Sequence, residues 1–253
     1  MSSSSLLTAL DGGVLTLTLN RPDKRNALSA QLIDLLHSEL ERADLDADVR
    51  VVMLRGAGKD FCAGADLDEL LASAERTLAE NEAAALRLGG LFTRLRELAK
   101  PVIAVVQGRA LAGGAGLATG CDLIVAGAGA RFGYPEIMRG FAPAMVMALL
   151  RRLVGEKVAA DLALTGRVLS AEEARALGLI TRVVPDQELE AEAASLAKQL
   201  AGLSQSALGF TKRLFYQLDC LSLEEGIALG ARVNAVARGT PDFRDAIAAF
   251  LRQ

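Results

Sequence analysis

Residues 110–122 read ALAGGAGLATGCD, with five small residues in a row, 112–116, between an apolar run and Asp122. Glycine is costly to order, so such a cluster is typical of a place where the backbone must approach another group closely. A strand that ends here and a helix that begins here leave backbone N–H groups unpaired at the positive end of the helix. Such N–H groups stabilise negative charge that develops on a ligand.

A second segment of the same form lies upstream, at residues 61–70, FCAGADLDEL. It reads as the end of a strand, a short loop with a glycine, and a helix that begins near Asp66. The amides around Ala65 are therefore a second set of potential donors. Two donors from separate strand-to-helix junctions that converge on one point would form an oxyanion hole.

Nucleotide binding and simple packing fit the glycine cluster less well. A dinucleotide fingerprint would use Gly114 and Gly116 and would need a third glycine where Thr119 stands, and no acidic residue follows at the expected distance. The segment GAGKD lacks the spacing and the Ser/Thr of a phosphate-binding P-loop. Tight packing between a helix and a sheet explains Gly120 and Ala118, but it explains the start of the cluster less well.

Composition limits the classes of partner. The chain has 253 residues, 51% of them hydrophobic, with 28 basic and 31 acidic side chains. This balance gives no electrostatic footprint for nucleic acid and no basic cluster for an anionic membrane. The N-terminus lacks the pattern of a signal peptide, and charged or polar residues interrupt the long apolar stretch at 101–129. We therefore predict a cytoplasmic protein that binds neither nucleic acid nor membranes.

The catalytic residue types available are few. The only histidine, His37, lies one step off the apolar helical stripe that Leu32, Leu36 and Leu40 form, so we expect it to be exposed or at a rim. Nothing supports a Ser-His-Asp site around it. Three cysteines at wide spacings give no metal-ligand pattern, and no metal is expected. Carboxylates and backbone dipoles remain.

The order of elements predicts an α/β core followed by helices. Helical patterns begin after Ser29, a predicted N-cap, and at about residue 79; from about residue 142 the chain is mostly helical, with a short extended piece at 181–185. We predict a core over residues 1–195 and a helical region over 196–253 for oligomerisation and for covering the site. Strands are predicted within residues 12–19, 49–56, 101–108 and 121–127.

Six segments, in order, resemble motifs of the enoyl-CoA hydratase/isomerase (crotonase) superfamily: LNRPDKRNALS, FCAGADLDEL, PVIAVVQGRALAGGAGLATGCDLIVAG, RFGYPEIMRGFAP, LVGEKVAADLALTGRVLSAEEARALGLITRVV and FRDAIAAFLR. The resemblance implies a crotonase-like spiral of ββα units with a C-terminal helical region, assembled as a homotrimer or a dimer of trimers. It implies acyl-CoA thioester substrates and a stabilised thioester enolate. No separate cofactor is expected, because coenzyme A is part of the substrate.

The resemblance also implies roles for particular residues. The oxyanion donors fall on the backbone N–H groups of Ala65 and Gly113. The residues at positions that hold the CoA nucleotide and pantetheine in the family are Lys24, Arg25, Ala27, Ala63, Asp66 and Leu67. For Lys24 and Arg25, a solvated turn after Arg21 and Pro22 explains the sequence about as well.

One position departs from the family's pattern. Hydratases of the family carry two catalytic glutamates; Glu136, in FGYPEIM, matches one, whereas Gly116 stands where the other belongs. Gly116 is expected to free space beside the thioester. Pro135, Ile137 and Met138 flank Glu136 in the sequence, with Phe141 nearby, and we expect them to surround it. Desolvation would then raise the pKa of Glu136 and improve it as a proton shuttle.

The missing acid favours one reaction over others. Moving a double bond from C3–C4 to C2–C3 needs only one carboxylate, which removes a proton from C2 and returns it to C4. We therefore predict a Δ3,Δ2-enoyl-CoA isomerase. A hydratase that uses Glu136 and water, a decarboxylase or C–C lyase on the same enolate, and a catalytically inactive acyl-CoA-binding or assembly protein stay open. In the last case, Glu136 would only complement a helix dipole.

Overall fold

The computed structural model describes residues 4–252, which form nine strands and eleven α-helices. The strands are β1 (Leu6–Asp11), β2 (Val14–Leu19), β3 (Val51–Gly56), β4 (Val102–Val106), β5 (Arg109–Leu111), β6 (Leu123–Gly127), β7 (Arg131–Gly133), β8 (Val168–Ser170) and β9 (Arg182–Val184). The helices are α1 (Ala30–Leu45), α2 (Leu67–Ala72), α3 (Leu78–Glu97), α4 (Gly113–Gly120), α5 (Ala144–Leu153), α6 (Glu156–Thr165), α7 (Ala171–Ala176), α8 (Leu189–Ala201), α9 (Gln205–Gln217), α10 (Leu223–Arg238) and α11 (Pro241–Phe250).

A six-stranded sheet in the order β1-β2-β3-β4-β6-β9 forms the centre of the fold. Its strands are parallel except for the antiparallel pair β1–β2. The central strand β4, VIAVV, is buried at every residue because α8 covers one face of the sheet and a second apolar cluster, which includes residues of α1, α3 and α4, covers the opposite face. The near-continuous apolar runs of the sequence are what a doubly covered parallel sheet requires.

A smaller sheet, β5-β7-β8, lies beside the large one. The chain passes from a strand of the large sheet to a strand of the small sheet and then to a helix, first as β4, β5 and α4, and again as β6, β7 and α5. The expected repetition of ββα units is therefore confirmed. It places the start of α4 at the end of the small sheet.

Helix starts match the positions that the sequence predicts, with Ser29 as the predicted cap of α1. The Ser29 hydroxyl accepts a hydrogen bond from the Leu32 amide (3.3 Å), and the Asp66 carboxylate caps α2. His37 is half-buried at a rim, as expected, and its Nε2 lies 2.9 Å from the Arg87 carbonyl oxygen. Among residues 4–252, no helix is both long enough and apolar enough to cross a membrane.

The C-terminal helices bury little within one chain. Of the residues in α9, α10 and α11, only Lys212 is buried. Its ammonium group lies 2.7 Å from the Asp122 carboxylate and donates to the carbonyl oxygens of Leu95 and Lys100, which ties α9 to the core. Helix α8 runs through position 195, the predicted end of the core, and residues 1–3 and 253 of the two predicted regions lie outside the described residues.

Candidate active site

The two strand-to-helix junctions lie against each other. The Leu111 amide donates to the Cys62 carbonyl oxygen (3.0 Å), and the Cys62 amide donates to the Arg109 carbonyl oxygen (3.0 Å). Gly114 is required by this contact, since a Cβ there would lie 2.3 Å from the Cys62 carbonyl oxygen. Gly64, at φ +101°, leaves room for the Ala112 methyl group, which would lie 2.9 Å from a Cβ at position 64.

The two amides expected to hold an oxyanion belong to residues that both line one cavity. Gly113 is the first residue of α4, so its N–H has no partner inside the helix. Ala65 forms a bridge with Leu28, whose amide donates to the Gly64 carbonyl oxygen (2.8 Å). Among residues 4–252, neither the Ala65 nor the Gly113 amide has a backbone hydrogen-bond acceptor. The arrangement therefore offers two unpaired donors; their catalytic role stays a prediction.

The start of α4 is fixed by the strand that leads to Glu136. The Ala112 amide donates to the carbonyl oxygen of Gly133, the last residue of β7 (2.8 Å). Ala112 itself has φ +52° and ψ −127°, a conformation that costs an alanine of order 1–3 kcal/mol. The surrounding hydrogen bonds hold it there. This hydrogen bond joins the residue before Gly113 to the end of the strand that leads to Glu136.

Glu136 is buried in the 3₁₀-helix Pro135–Arg139, with 7% of its surface exposed. Its Oε2 atom has no hydrogen-bond partner among the described residues. Burial raises the pKa of this carboxyl group above the usual range of glutamate, and the charge of Arg139 partly offsets that effect. A carboxyl group in this state is suited to exchange protons with a bound molecule.

The expectation about the neighbours of Glu136 is only partly correct. Ile137 and Met138 are exposed and lie against Gly166, and neither lines the cavity with Glu136. The reason is that Glu136 lies in a 3₁₀ turn, in which successive side chains leave in different directions. Phe141 does line the cavity with Glu136, and its amide donates to the Glu136 carbonyl oxygen (3.2 Å).

The cavity has a volume of about 720 Å³, within the usual range for small-molecule sites. Nine of the ten predicted site residues line it, so the structure brings almost the whole predicted set together. These are Lys24, Arg25, Ala27, Ala63, Ala65, Asp66, Leu67, Gly113 and Glu136. Apolar side chains supply another part of the wall: Leu28, Ile33, Leu88, Met145 and Val146.

Gly116 is the exception. It does not line the cavity, and a Cβ at this position would lie 2.5 Å from Val146 Cγ1 and 2.7 Å from Phe92 Cζ. The expectation that Gly116 frees space beside the thioester is therefore wrong, because two apolar side chains already fill that space. A glutamate at position 116 would require both of them to move.

The remaining carboxylates of the cavity are either paired or exposed. Asp66 pairs with Arg21 (2.7 Å), Asp68 with Lys24 (2.7 Å), and Glu69 accepts a hydrogen bond from the Ala30 amide (2.9 Å). Asp23 is exposed. Of the five carboxylates that line the cavity within residues 4–252, Glu136 alone is buried with an oxygen that has no partner.

Sequence reasoning missed several residues around the cavity. Arg21 reads in the sequence only as part of a turn, and Asn26 carries no prediction, yet Asn26 is fully buried with φ +55°. An asparagine close to Arg-Pro was an available signal, because asparagine tolerates positive φ better than most residues. Phe92 and Val146 gave no signal, since each looks like an ordinary core residue in a helix.

The chain is similar in sequence to known proteins of one family. The profile of the family Enoyl-CoA hydratase/isomerase matches residues 10–253. A Thermus thermophilus protein whose name refers to enoyl-CoA hydratase is 43% identical over 96% of both chains. The 2,3-dehydroadipyl-CoA hydratase of Escherichia coli is 38% identical, with 99% of this chain and 96% of that protein covered.

Solved structures agree as well. The crystal structure of an enoyl-CoA hydratase from Mycobacterium smegmatis superposes with a TM-score of 0.95 at 35% identity, covering 99% of this chain and 97% of that chain. The expected crotonase-like fold is confirmed by this likeness. The chain belongs to the enoyl-CoA hydratase/isomerase family and is an enzyme of that family.

Proposed function

We propose that this chain is a Δ3,Δ2-enoyl-CoA isomerase in which Glu136 is the only proton shuttle. One observation carries the proposal: within residues 4–252, Glu136 is the single buried cavity carboxylate with an unpartnered oxygen, whereas Val146 and Phe92 fill the space beside Gly116. This arrangement supports a reaction that needs one acid. It does not favour one that needs two.

The substrate is proposed to bind with its thioester oxygen between the amides of Ala65 and Gly113. Two aligned N–H donors stabilise an enolate oxygen by roughly 3 kcal/mol each, by analogy with measured deletions of such donors. The CoA part would lie along Lys24, Arg25, Ala27, Ala63, Asp66 and Leu67, all of which line the same cavity.

The proton moves in two steps. Ionised Glu136 accepts the C2 proton of the 3-enoyl thioester, and the electron pair of the broken C–H bond is delocalised into a dienolate held by the two amides. Protonated Glu136 then gives the same proton to C4, which leaves the double bond between C2 and C3. The raised pKa makes ionised Glu136 a stronger base. It also reduces the difference between the pKa of Glu136 and that of the weakly acidic C2–H group.

A hydratase is the second candidate, because the relatives reported above carry hydratase names. Hydration needs one group to activate water and a proton delivered to the α carbon. In this chain Glu136 would have to perform both tasks with a bound water. The two candidates share the enolate site. The isomerase moves a proton from C2 to C4, whereas the hydratase adds the oxygen of water to C3 and a proton to C2.

The deciding experiment is a paired assay of the purified protein on a 3-enoyl-CoA and on a 2-trans-enoyl-CoA, with Glu136→Gln beside it. We expect fast isomerisation, weak hydration, and loss of both by at least about 10³-fold in Glu136→Gln. The isomerase rate should fall as the pH drops through the raised pKa of Glu136, because only the ionised carboxylate accepts the C2 proton. Glu190→Gln is the control; it alters a surface ion pair with Arg55 and should leave both rates unchanged.

Each other outcome selects a different function. Hydration faster than isomerisation overturns the isomerase and establishes the hydratase. Inactivity on both substrates, with thioester binding and no effect of Glu136→Gln, establishes a binding or assembly protein. Release of a carboxylate or a cleaved carbon fragment from a suitable thioester would instead establish decarboxylation or C–C cleavage.

We also propose that the chain assembles as a homotrimer or a dimer of trimers. Helices α10 and α11 bury no side chain within one chain, and apolar side chains from α9 to the residue after α11 are exposed. These include Phe215, Leu223, Ile227, Val236, Phe250 and Leu251. Sedimentation equilibrium should give three or six chain masses; a single chain mass would contradict the proposal. The cytoplasmic location stays a prediction.

A further inference from the structure

We infer that Arg21 is a positioning residue for the Ala65 amide. It fixes the direction of that N–H by joining the segment that contains Ala65 to the neighbouring segment that contains Leu28. The inference rests on the proposed function, in which the Ala65 amide contacts the thioester oxygen. Arg21 itself does not line the cavity, so any effect on the reaction must pass through other groups.

The guanidinium group of Arg21 makes two short contacts. Nη2 donates to Asp66 Oδ2 (2.7 Å), and Nη1 donates to the Ala27 carbonyl oxygen (2.6 Å). Asp66 follows Ala65 in the chain, and Ala27 precedes Leu28, the residue that bridges with Ala65. The planar fork of arginine therefore sets the distance between the two segments.

The bridge determines where the Ala65 amide points. On one side of the extended segment, the Leu28 amide donates to the Gly64 carbonyl oxygen, and the Asp66 amide donates to the Leu28 carbonyl oxygen (3.1 Å). Successive amides of an extended chain point to opposite sides. The Ala65 N–H therefore points away from Leu28, and its direction depends on how this bridge is held.

Arg21 is itself anchored to the core. Its amide donates to Asn26 Oδ1 (2.9 Å), and Asn26 Nδ2 donates to the carbonyl oxygens of Ala57 (2.9 Å) and Asp60 (2.7 Å). Asn26 is fully buried, and the two carbonyl groups lie just after β3. A continuous set of hydrogen bonds thus runs from the large sheet through Arg21 to the Ala65 segment.

Apolar packing by α2 does not provide this support. Helix α2, which follows Ala65, has no buried residue that could fix the loop by apolar contact. The Arg21 guanidinium keeps the pKa of Asp66 low, so the carboxylate stays ionised and accepts from the amides of Asp68 and Glu69 as well. The loop and the first turn of α2 are therefore held by the backbone hydrogen bonds to Leu28 together with the Arg21–Asp66 pair.

The test uses acetoacetyl-CoA, because its enolate has a near-ultraviolet band that the neutral form lacks. We expect the wild-type protein to induce the band on binding, and Arg21→Met to lose it while still binding unacylated CoA. In the isomerase assay, Arg21→Met should lower kcat roughly 10- to 100-fold, as expected when a donor is misplaced, with a smaller change in KM. Arg21→Lys, which keeps the charge but lacks the fork, should be intermediate.

Arg94→Met is the matched control. Arg94 pairs with Asp44 at 2.9 Å, and neither residue lines the cavity. Each of these two side chains is 27% exposed, close to the 20% of the Arg21 side chain. This variant should keep the enolate band and kcat even where its unfolding midpoint falls. A band and a kcat of wild-type size in Arg21→Met would overturn the inference and leave Arg21 a purely structural role.

Two further results complete the test. Asp66→Asn should reproduce part of the loss, and the effects of Asp66→Asn and Arg21→Met should be less than additive, because the two residues share a contact. If Arg21→Met does not fold, Arg21→Lys and Asp66→Asn decide: wild-type bands in both overturn the inference. Absence of the band in the wild-type protein would contradict the proposed function itself, and the inference with it.

Discussion

The two junctions that present the Ala65 and Gly113 amides reach the same local result by different physical means. Helix α4, which begins at Gly113, is buried at all eight residues, whereas α2, after Ala65, is buried at none. The Gly113 donor is held by close backbone packing, with glycine where a side chain would clash. The Ala65 donor is held by hydrogen bonds and a charged pair beside the cavity.

The difference teaches that an aligned N–H group does not require one kind of support. Where the helix is buried, close packing on all sides prevents the backbone from shifting, and a substitution that clashes there destabilises the whole fold. Where the helix is exposed, backbone hydrogen bonds and a few charged groups determine the geometry. Substitutions at the Gly113 junction should therefore change stability, and those at the Ala65 junction should change activity more than stability.

The largest expected effect is on the packed junction. Gly114→Ala would place a Cβ 2.3 Å from the Cys62 carbonyl oxygen, a backbone atom that cannot move aside cheaply. We expect a loss of at least about 3 kcal/mol in the free energy of unfolding, or no folded protein. Urea unfolding measures this loss, with Gly230→Ala in α10 as the control.

The control position has open space around it. Among the described residues, no atom lies within 4 Å of the place that a Cβ at position 230 would take. Alanine there should stabilise the helix by about 0.5–1 kcal/mol. Equal unfolding free energies for the two variants would show that packing does not hold the Gly113 junction.

Two acids beside the cavity, Asp66 and Glu136, have pKa shifts of opposite sign, so pH should change their contributions to stability differently. Asp66 has a lowered pKa, chiefly because of Arg21, and Glu136 has a raised pKa, chiefly because of burial. Near pH 7 we expect Asp66→Asn to lower the free energy of unfolding by about 1–3 kcal/mol, since it removes a charge-assisted hydrogen bond. Glu136→Gln should raise it, because the folded state no longer holds a desolvated charge.

The signs predict opposite responses to acid. Glu136 in the folded protein takes up its proton before the unfolded chain does, so the advantage of Glu136→Gln should vanish at about pH 4. Asp66 stays ionised in the folded protein at that pH. Most of the loss in the free energy of unfolding caused by Asp66→Asn should therefore remain until the pH falls further. Thermal unfolding at the two pH values separates the acids; parallel changes would refute the assigned shifts.

The smallest effect is expected at the outer edge of the polar junction. Lys24 and Asp68 form an ion pair in which 57% and 80% of the two side chains are exposed. Exposed pairs contribute little to stability, so Lys24→Ala should leave the unfolding midpoint unchanged. Its KM for acyl-CoA should rise a few-fold at low salt and less at high salt, with kcat unaltered. A fall in kcat would mean that Lys24 also helps to fix the Ala65 segment.

Much of the fold follows from local sequence patterns. The strands β2, β3, β4 and β6 and the caps at Ser29 and Asp66 were predictable, because each depends on residues adjacent in the chain. The edge strand β1 was not predicted, since only one of its six residues is buried. The three-residue strands β5, β7 and β8 carry too short a pattern and exist through their pairing with one another.

The site shows the same limit. The motifs predicted nine of the residues around the cavity, but they did not predict what lies beside Gly116. Phe92 in α3 and Val146 in α5 reach that position from distant parts of the chain, so no local pattern contains the information. Arg21 was missed for a similar reason: its partner Asp66 lies beyond α1 and β3 in the chain.

The lack of buried residues in α2 has a consequence for how such a chain can diverge. Most mutations in the buried helix α4 prevent folding, so selection removes those variants whatever their effect on catalysis. A mutation in α2 meets no such filter, although α2 and the residues just before it form part of the cavity wall. Natural variation in acyl-CoA preference should therefore accumulate along α2, while α4 is inherited almost unchanged.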